Sequence, residues 1–386
     1  MIYLLVRNHQ QWLEDHGLGF LRVFTFVTFQ ATVAVMLGFL IVWLAGPRVI
    51  AWLRKQKIGD RPDFDQADIN ALMASKKDTP TMGGILIIAS IAFTTLLLAD
   101  LTNFYVRAAL VCLLWLGSVG AADDWLKLTA KRRATGTRQG LFSLEKLLFQ
   151  LGLGVILSYF TFRYGRHIEP ATRFYFPFFK DYYIPLNLAA YIAIGTVMVT
   201  GWSNAVNLTD GLDGLAAGCM SIVSIAFVLL ALIIGAMAPH NHPVLNQLLL
   251  PYIKGSDQMA VLAGAMTGAC VGFLWFNCSP ASVFMGDTGS LALGGLIGYI
   301  AIVIRQELML VLVGGIFVVE ALSVMLQVSF FKYTRRRFGE GRRMFLMAPL
   351  HHHFQKRGWT ETQVVVRFWL INAMLAAMAL ATVKLR

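Results

Sequence analysis

Charge is scarce in this sequence. Only 14% of its 386 residues are Asp, Glu, Lys or Arg, against roughly 25% in soluble globular domains, and 57% are hydrophobic. That balance excludes a soluble enzyme of one or two domains. Acidic side chains are the scarcer sign, 21 against 33 Lys and Arg, for a net charge of +12. A chain so basic can meet anionic lipid, nucleotide or nucleic acid, and the number alone does not choose between them. Cysteine is sparse as well. Cys112, Cys219, Cys270 and Cys278 lie in or beside apolar stretches with no CxxC spacing, so neither a disulfide framework nor a zinc site is suggested and they read as small buried hydrophobes. The N-terminus lacks a signal-peptide pattern, because Arg7, His9, Glu14, Asp15 and His16 interrupt it. No repeat period or low-complexity tract is evident. No segment between the apolar runs is long enough for a separate soluble domain.

Long apolar runs are what the chain does have. About 20 mostly apolar residues are needed to cross the hydrocarbon core as a helix. Ten such windows occur, at approximately 22–45, 81–99, 105–122, 143–161, 186–203, 212–237, 258–276, 287–304, 308–331 and 364–383. The expectation is an all-α polytopic membrane protein, a single integral-membrane domain over 1–386. Ten spans put both termini on one side. Lys and Arg then divide unevenly between the alternating loops, 20 in the set containing 47–80, 123–142 and 332–362 against 11 in the other set and tails. Cytoplasmic loops carry the excess, so both termini are expected in the periplasm and the basic loops in the cytoplasm.

Charged groups in or beside membrane spans are expensive and mark function by default. Here they come in five clusters. Lys76-Lys77-Asp78-Thr79-Pro80-Thr81-Met82-Gly83-Gly84 enters the second span, with Pro80 stopping any preceding helix and the Gly pair allowing close backbone approach. Asp123-Asp124-Trp125-Leu126-Lys127 closes the third. Two adjacent carboxylates repel, and a divalent cation or a metal-bound phosphate gives the pair a reason to exist; a solvated helix end is the plain alternative. Between the fifth and sixth spans, Asn204, Asn207, Asp210, Gly211 and Asp213 recur at near-helical spacing. One Asp suffices to cap a helix, so the array asks for more than capping. Asp287, in Phe284-Met285-Gly286-Asp287-Thr288-Gly289-Ser290, suits either an N-cap or close approach to a ligand. Gly289, Gly294, Gly295 and Gly298 after it suit helix packing. The last basic loop carries Arg335-Arg336-Arg337, Arg342-Arg343 and His351-His352-His353-Phe354. Adjacent histidines do not converge on one ion, so hydrogen bonding to phosphate or ribose is at least as good a reading. Glu320, Ser323 and Gln327 share a face of the ninth span, where bonding to neighbouring helices is the plain alternative.

All five loop clusters fall in the cytoplasmic set, although that set was defined by Lys and Arg alone. One composite site at the inner membrane face follows. Its carboxylates, amides, lysines and histidines, with no Cys or Ser nucleophile paired to a base, suit phosphate chemistry on a hard cation. A site at a membrane face fits one water-soluble and one lipid substrate.

Lys76 to Gly84, the DDxxK of Asp123–Lys127, NAVNLTDGLDGLA from Asn204, FMGDTGS from Phe284 and HHHF from His351 together resemble the bacterial phospho-N-acetylmuramoyl-pentapeptide transferases. The resemblance runs through essentially the whole chain. It implies Mg²⁺-dependent transfer of phospho-MurNAc-pentapeptide from UDP-MurNAc-pentapeptide to undecaprenyl phosphate, giving lipid I and UMP in the first membrane step of peptidoglycan synthesis. It also implies an inner-membrane location, no nucleic-acid partner, and a homodimer compatible with the family but signalled by no residue here. Carried over by motif, Asp287 is the expected Mg²⁺ ligand, with Asp123 and Asp124 around the reacting phosphates. Asn207, Asp210, Asp213 and Phe284 resemble the nucleotide pocket, Phe284 stacking on uracil. Lys76, Thr81, Gln327, His351, His352 and His353 complete the nucleotide-sugar side. The runners-up are a sister enzyme transferring phospho-N-acetylhexosamine to the same lipid, from which the HHHF run argues away, and a transporter, which would place acids at mid-span rather than at span ends.

Overall fold

A helix that is apolar on every side has no face for water and must be buried in protein or lipid. Most of the chain consists of such helices. The structure is a computed structural model and describes residues 1–56, 79–129, 140–177, 179, 182–236 and 251–383. Two short helices open it, α1 (Ile2–Asn8) and α2 (Gln10–Asp15). There follow α3 (Val27–Lys55), α4 (Gly84–Leu98), α5 (Phe104–Thr129), α6 (Ser143–Gly165), α7 (Leu188–Thr209) and α8 (Leu215–Ala236). The second half contains α9 (Met259–Asn277), α10 (Gly286–Val303), the short α11 (Glu307–Val313), α12 (Gly315–Phe338), the short α13 (Leu350–Lys356) and α14 (Glu361–Val383). Among the described residues, nine helices are long and apolar enough to cross a membrane. The protein is an all-α polytopic membrane protein.

The expected second span is realised as α4, with only 15 residues. At 1.5 Å per residue it covers about 22 Å, short of the ~30 Å hydrocarbon core. Pro80 and the Gly83-Gly84 pair delay its start, and the chain turns extended at Ala99. It nevertheless runs between the two faces of the bundle. Its first amide, Gly84 N–H, donates to the Met285 carbonyl at 2.9 Å. At its other end, the Leu96 and Leu97 carbonyls accept from the Met1 ammonium at 2.6 and 2.9 Å. The last helix runs the same way. Glu361, at its start, accepts from the Asp213 N–H, and Thr382, near its end, lies against Met309 of α11. Met1 and the end of α14 therefore share the face opposite the polar clusters.

The centre of the bundle is α9 and α10, the latter nearly nine-tenths buried. Helix α9 packs on α3 and α8, and α10 on α5 and α7. Without a hydrophobic drive between helices in lipid, contact relies on small residues that let backbones touch. Gly264, Gly268 and Gly272 form such a stripe against the carbonyls of Ala31, Val35 and Phe39 on α3. Gly294 and Gly298 do the same against Trp202 and Met198 of α7, and Gly295 faces Leu116 of α5. Gly289 meets Gly84 at the start of α4. The sequence expectation that Gly289, Gly294, Gly295 and Gly298 pack helices holds.

Among the described residues, the far face carries a short stretch of strand. Strands β1 (Arg173–Tyr175) and β2 (Tyr183–Pro185) form an antiparallel hairpin, Phe174 opposite Ile184. The buried Arg305 ties it down, donating to the Arg173 carbonyl at 2.9 Å. The same guanidinium pairs with Glu307 at 2.7 Å and lies over the Tyr191 ring.

A Cβ at Gly268 would collide with the Val35 carbonyl, whereas one at Gly201 meets nothing within 4 Å. Gly268→Ala is therefore expected to cost about 1–3 kcal/mol, and Gly201→Ala to be nearly neutral. Thermal unfolding of the two variants in detergent checks this; equal midpoints would refute the close α3–α9 contact.

Candidate active site

The polar clusters meet where α5, α6, α7 and α10 end or begin on one face. Two loops that are far apart in sequence build the floor. Phe284 N–H donates to the Pro80 carbonyl at 2.8 Å, and Gly83 N–H donates back to the Phe284 carbonyl at 2.8 Å. This short ladder joins the Thr79–Gly84 segment to the Phe284–Ser290 segment. Between them sits Gly286 at φ +73. A Cβ there would stand 2.7 Å from Asp124 Oδ2 and 2.9 Å from Thr81 Oγ1. Glycine is required on both counts. Buried Thr81 is thereby placed beside Asp124.

Asp123, Asp124 and Asp287 converge, with one oxygen from each lying within 4.8 Å of the others. Their surroundings differ. Both oxygens of Asp124 serve the first turn of α10. Oδ1 accepts from the Asp287 N–H at 3.2 Å, and Oδ2 accepts from the N–H and hydroxyl of Thr288 at 2.9 and 2.6 Å. A carboxylate from another helix thus caps α10, satisfying donors the helix leaves open and complementing its dipole. Asp123 is fully buried, accepting from the Leu141 N–H at Oδ1, 2.8 Å away, and from two ammoniums at Oδ2. Asp287 receives Asn207 Nδ2 at 2.8 Å on Oδ1, and the same two ammoniums on Oδ2.

Those ammoniums belong to Lys127 and Lys146. Lys127 is the i+4 partner that the DDxxK spacing places on the Asp123 face of α5, whereas Lys146 is a charge inside an apolar window to which the sequence pattern gives no role. A lone cation within such a span was the signal that could have found it. Ser290, one turn after Asp287, accepts from Asn207 at 2.9 Å. A buried relay then supports Asn207 from behind. Asn204 donates to Gln150 at 2.7 Å, Gln150 to the Ser203 hydroxyl at 3.2 Å, and Ser203 to the Leu291 carbonyl at 3.0 Å. It locks α6, α7 and α10 together one turn below the carboxylates.

The other expected residues have different duties. Asp210, just beyond α7, accepts from the Gly286 N–H. Its burial, reinforced by the negative charge of Asp287 and Asp124, pushes its carboxyl up to about 8. Asp213 is buried, and its Oδ2 accepts from the Ala281 N–H at 3.1 Å. Phe284 is half-buried on the ladder. Lys76 lies outside the described residues.

The three histidines diverge, as their adjacency implies. His351 is buried, 3.2 Å from Glu320 Oε2 through Nδ1, its backbone N–H donating to Glu320 Oε1 at 3.0 Å. Its ring lies against Gly211, which joins the histidine run to the Asp210 loop. His352 Nδ1 is 2.8 Å from Gln355 Oε1. His353 Nδ1 accepts from the Leu346 N–H at 3.1 Å, so it shapes the preceding loop. Gln327 is spent likewise. Its Oε1 accepts from the Met344 and Phe345 N–H groups, and its Nε2 donates to the Phe345 carbonyl. No contact brings Gln327 or His353 to the carboxylates.

Two comparisons with known families bear on this geometry. The family model described as glycosyl transferase family 4 matches residues 106–305, just over half of the chain. The chain belongs to glycosyl transferase family 4. A motif described as phospho-N-acetylmuramoyl-pentapeptide-transferase signature 1 matches residues 76–88, the segment whose described part forms the floor ladder. Membership of this family makes the chain a phospho-sugar transferase, and with its apolar helices a multi-pass inner-membrane protein. The aspartate group is able to hold a metal ion.

Burial, with His351 beside it, pushes the His352 imidazole down from 6.5 to about 4, against weaker raising contributions from Gln355 and Glu361. The folded protein therefore favours neutral His352. The associated stability is full above pH 6.5 and is lost as the pH falls from 6.5 through about 4. His352→Gln is expected to flatten the decline in thermal midpoint between pH 7.5 and pH 5; an unchanged slope would assign that loss elsewhere.

Proposed function

We propose that this chain is the Mg²⁺-dependent enzyme that transfers phospho-MurNAc-pentapeptide from UDP-MurNAc-pentapeptide to undecaprenyl phosphate, releasing UMP and forming lipid I. The observation that carries this reading is the convergence of Asp123, Asp124 and Asp287 beside the floor built by residues 79–84, within the segment that matches the pentapeptide-transferase signature. The whole chain acts as one catalytic domain. Its polar face lies in the cytoplasm and both termini lie in the periplasm, a reading supported by the 20 cations that the sequence places in that set of loops.

The donor set fits a hard cation, since it offers oxygen ligands only, and Mg²⁺ uses one or two carboxylates while keeping water and substrate phosphate. Asp287 would hold it, with Asp123 opposite. Bound there, the ion would neutralise the diphosphate and stabilise charge as the bond to UMP breaks. The chain's own residues supply position. Asn207 and Ser290 fix the Asp287 rotamer, and Asp124 fixes the helix start that carries it. Lys127 and Lys146 face phosphate oxygens. Asp210, Asp213 and Phe284, with Lys76 and Thr81, receive the nucleotide. His351 and His352 receive the sugar side, and Gln327 and His353 shape the loop next to them. A neutral His352 that donates through Nδ1 to Gln355 presents Nε2 as an acceptor, which suits a sugar hydroxyl better than a phosphate.

Direct attack by the lipid phosphate is favoured over a covalent aspartyl intermediate. A phosphate monoester has its second pKa near ~6 and is mostly dianionic at pH 7, so it is already a nucleophile. Each of the three aspartates, meanwhile, accepts at both oxygens. Asp123 orients the lysines and the acceptor.

UDP-MurNAc-pentapeptide, UDP-GlcNAc and undecaprenyl phosphate supplied separately and in pairs with Mg²⁺ test the reading. UMP and lipid product are expected only from the muramoyl donor with the lipid. Asp287→Asn is expected to abolish turnover. Product from UDP-GlcNAc alone among the donors would transfer the assignment to the sister activity. A burst of UMP without lipid would sink direct attack.

A further inference from the structure

Two ammonium groups bridge one pair of carboxylate oxygens. Lys127 Nζ is 2.7 Å from Asp123 Oδ2 and 3.2 Å from Asp287 Oδ2; Lys146 Nζ is 2.8 Å from each of the same two. The other oxygens are taken by different groups. Asp123 Oδ1 holds the Leu141 N–H, Asp287 Oδ1 holds Asn207, and Asp124 holds the first turn of α10. The Oδ2 pair is therefore the pair held by exchangeable side chains alone. A divalent cation draws such oxygens to about 2.0–2.1 Å. Two ammoniums within hydrogen-bond distance of both oxygens would stand against that ion, like charge on like charge.

We propose that Lys127 and Lys146 hold the cation's place between Asp123 and Asp287 in the unliganded protein, and pass to phosphate oxygens of the donor when the ion enters. This rests on the preceding reading, which gives the site a divalent cation and a diphosphate. Lysine suits the exchange, being a point charge with three donors on a flexible four-carbon stem. Lys127 has room to turn, its side chain being 48% exposed, while Lys146 is more enclosed at 21%. Both sit at helix ends next to the loop ladder. The exchange couples the two ligands. A phosphate that draws off an ammonium releases a carboxylate to the ion, and by linkage the ion strengthens diphosphate binding by the same factor. Each lysine then opposes cation binding when alone and promotes it when diphosphate is present. A lysine that only braces the fold would not produce that reversal of sign.

The test is Mn²⁺ binding to the full-length protein in detergent, read from the paramagnetic resonance of free Mn²⁺, with and without UDP. Wild type, Lys127→Gln, Lys146→Gln, Lys146→Arg and Asp287→Asn are compared. Without UDP, each Gln variant is expected to bind Mn²⁺ about tenfold more tightly than wild type, within the usual range of coupling, while Lys146→Arg stays close to wild type. The gain in Mn²⁺ affinity from UDP is expected to shrink in the Gln variants. Should Lys146→Gln unfold, Lys127→Gln decides alone. Gln variants that bind Mn²⁺ no more tightly than wild type overturn the exchange and leave the metal assignment standing. That assignment falls separately if Asp287→Asn binds Mn²⁺ as wild type does, or if wild type binds none under either condition.

Discussion

Three carboxylates with oxygens within 4.8 Å of one another constrain everything around them. At an effective dielectric constant near 20, each ionised pair at that separation costs about 3–4 kcal/mol. Two lysines and the N-terminus of α10, worth about half a positive charge, offset most of that repulsion when all three are ionised. About half a negative charge remains uncompensated. The neighbouring Asp210 registers this surplus together with its own burial, its carboxyl being pushed up to about 8.

Bringing those charges together requires backbones to touch. Gly120 on α5 lies against the Asp287 carbonyl, with no room for a Cβ, and Gly84 meets Gly289 in the same manner. Gly286 passes between Asp124 and Thr81 in a left-handed turn. The glycines of the two motifs are thus part of the electrostatics. They set how near one helix's acid can come to another helix's amides, which is how Asp124 of α5 caps α10. The same device, repeated along α9 and α10 against α3 and α7, gives a rigid frame in which three separately encoded acids keep a fixed spacing.

Much of this was legible in the sequence, and the residues show why. Spans are visible because a bilayer demands about 20 apolar residues, and each of the ten windows contains a helix. Only α4 comes out too short to count by length, since the 81–99 window takes in Thr81, Met82 and Gly83 before the helix begins and Ala99 after it ends. The clustering of the acids was legible because each charge beside a membrane needs a reason. The division of labour among them was not. That Asp124 caps a helix 163 residues away, or that Gln327 and His353 are consumed by residues 344–346, depends on tertiary contacts for which neighbours in sequence leave no trace. Lys146 was missed for the opposite reason. Hydropathy averaging hid a single charge that its cost alone should have exposed.

The three aspartates of the site accept at every oxygen from amides, a hydroxyl or ammoniums. The groups with freedom to move are the two lysines, held by ion pairs to flexible stems. Under the proposed exchange, positive charge resides first between Asp123 and Asp287 and then on the phosphates, while the acids stay fixed. Phosphoryl transfer tolerates that arrangement because it needs positioning and charge neutralisation more than covalent help from the protein. The far-face pair of Arg305 and Glu307 is fully enclosed and bonded to the hairpin, with neither partner exposed. It holds the end of α10 opposite Asp287, so the helix that carries this carboxylate is fixed at both ends by ionic contacts, one enclosed and one partly open to solvent.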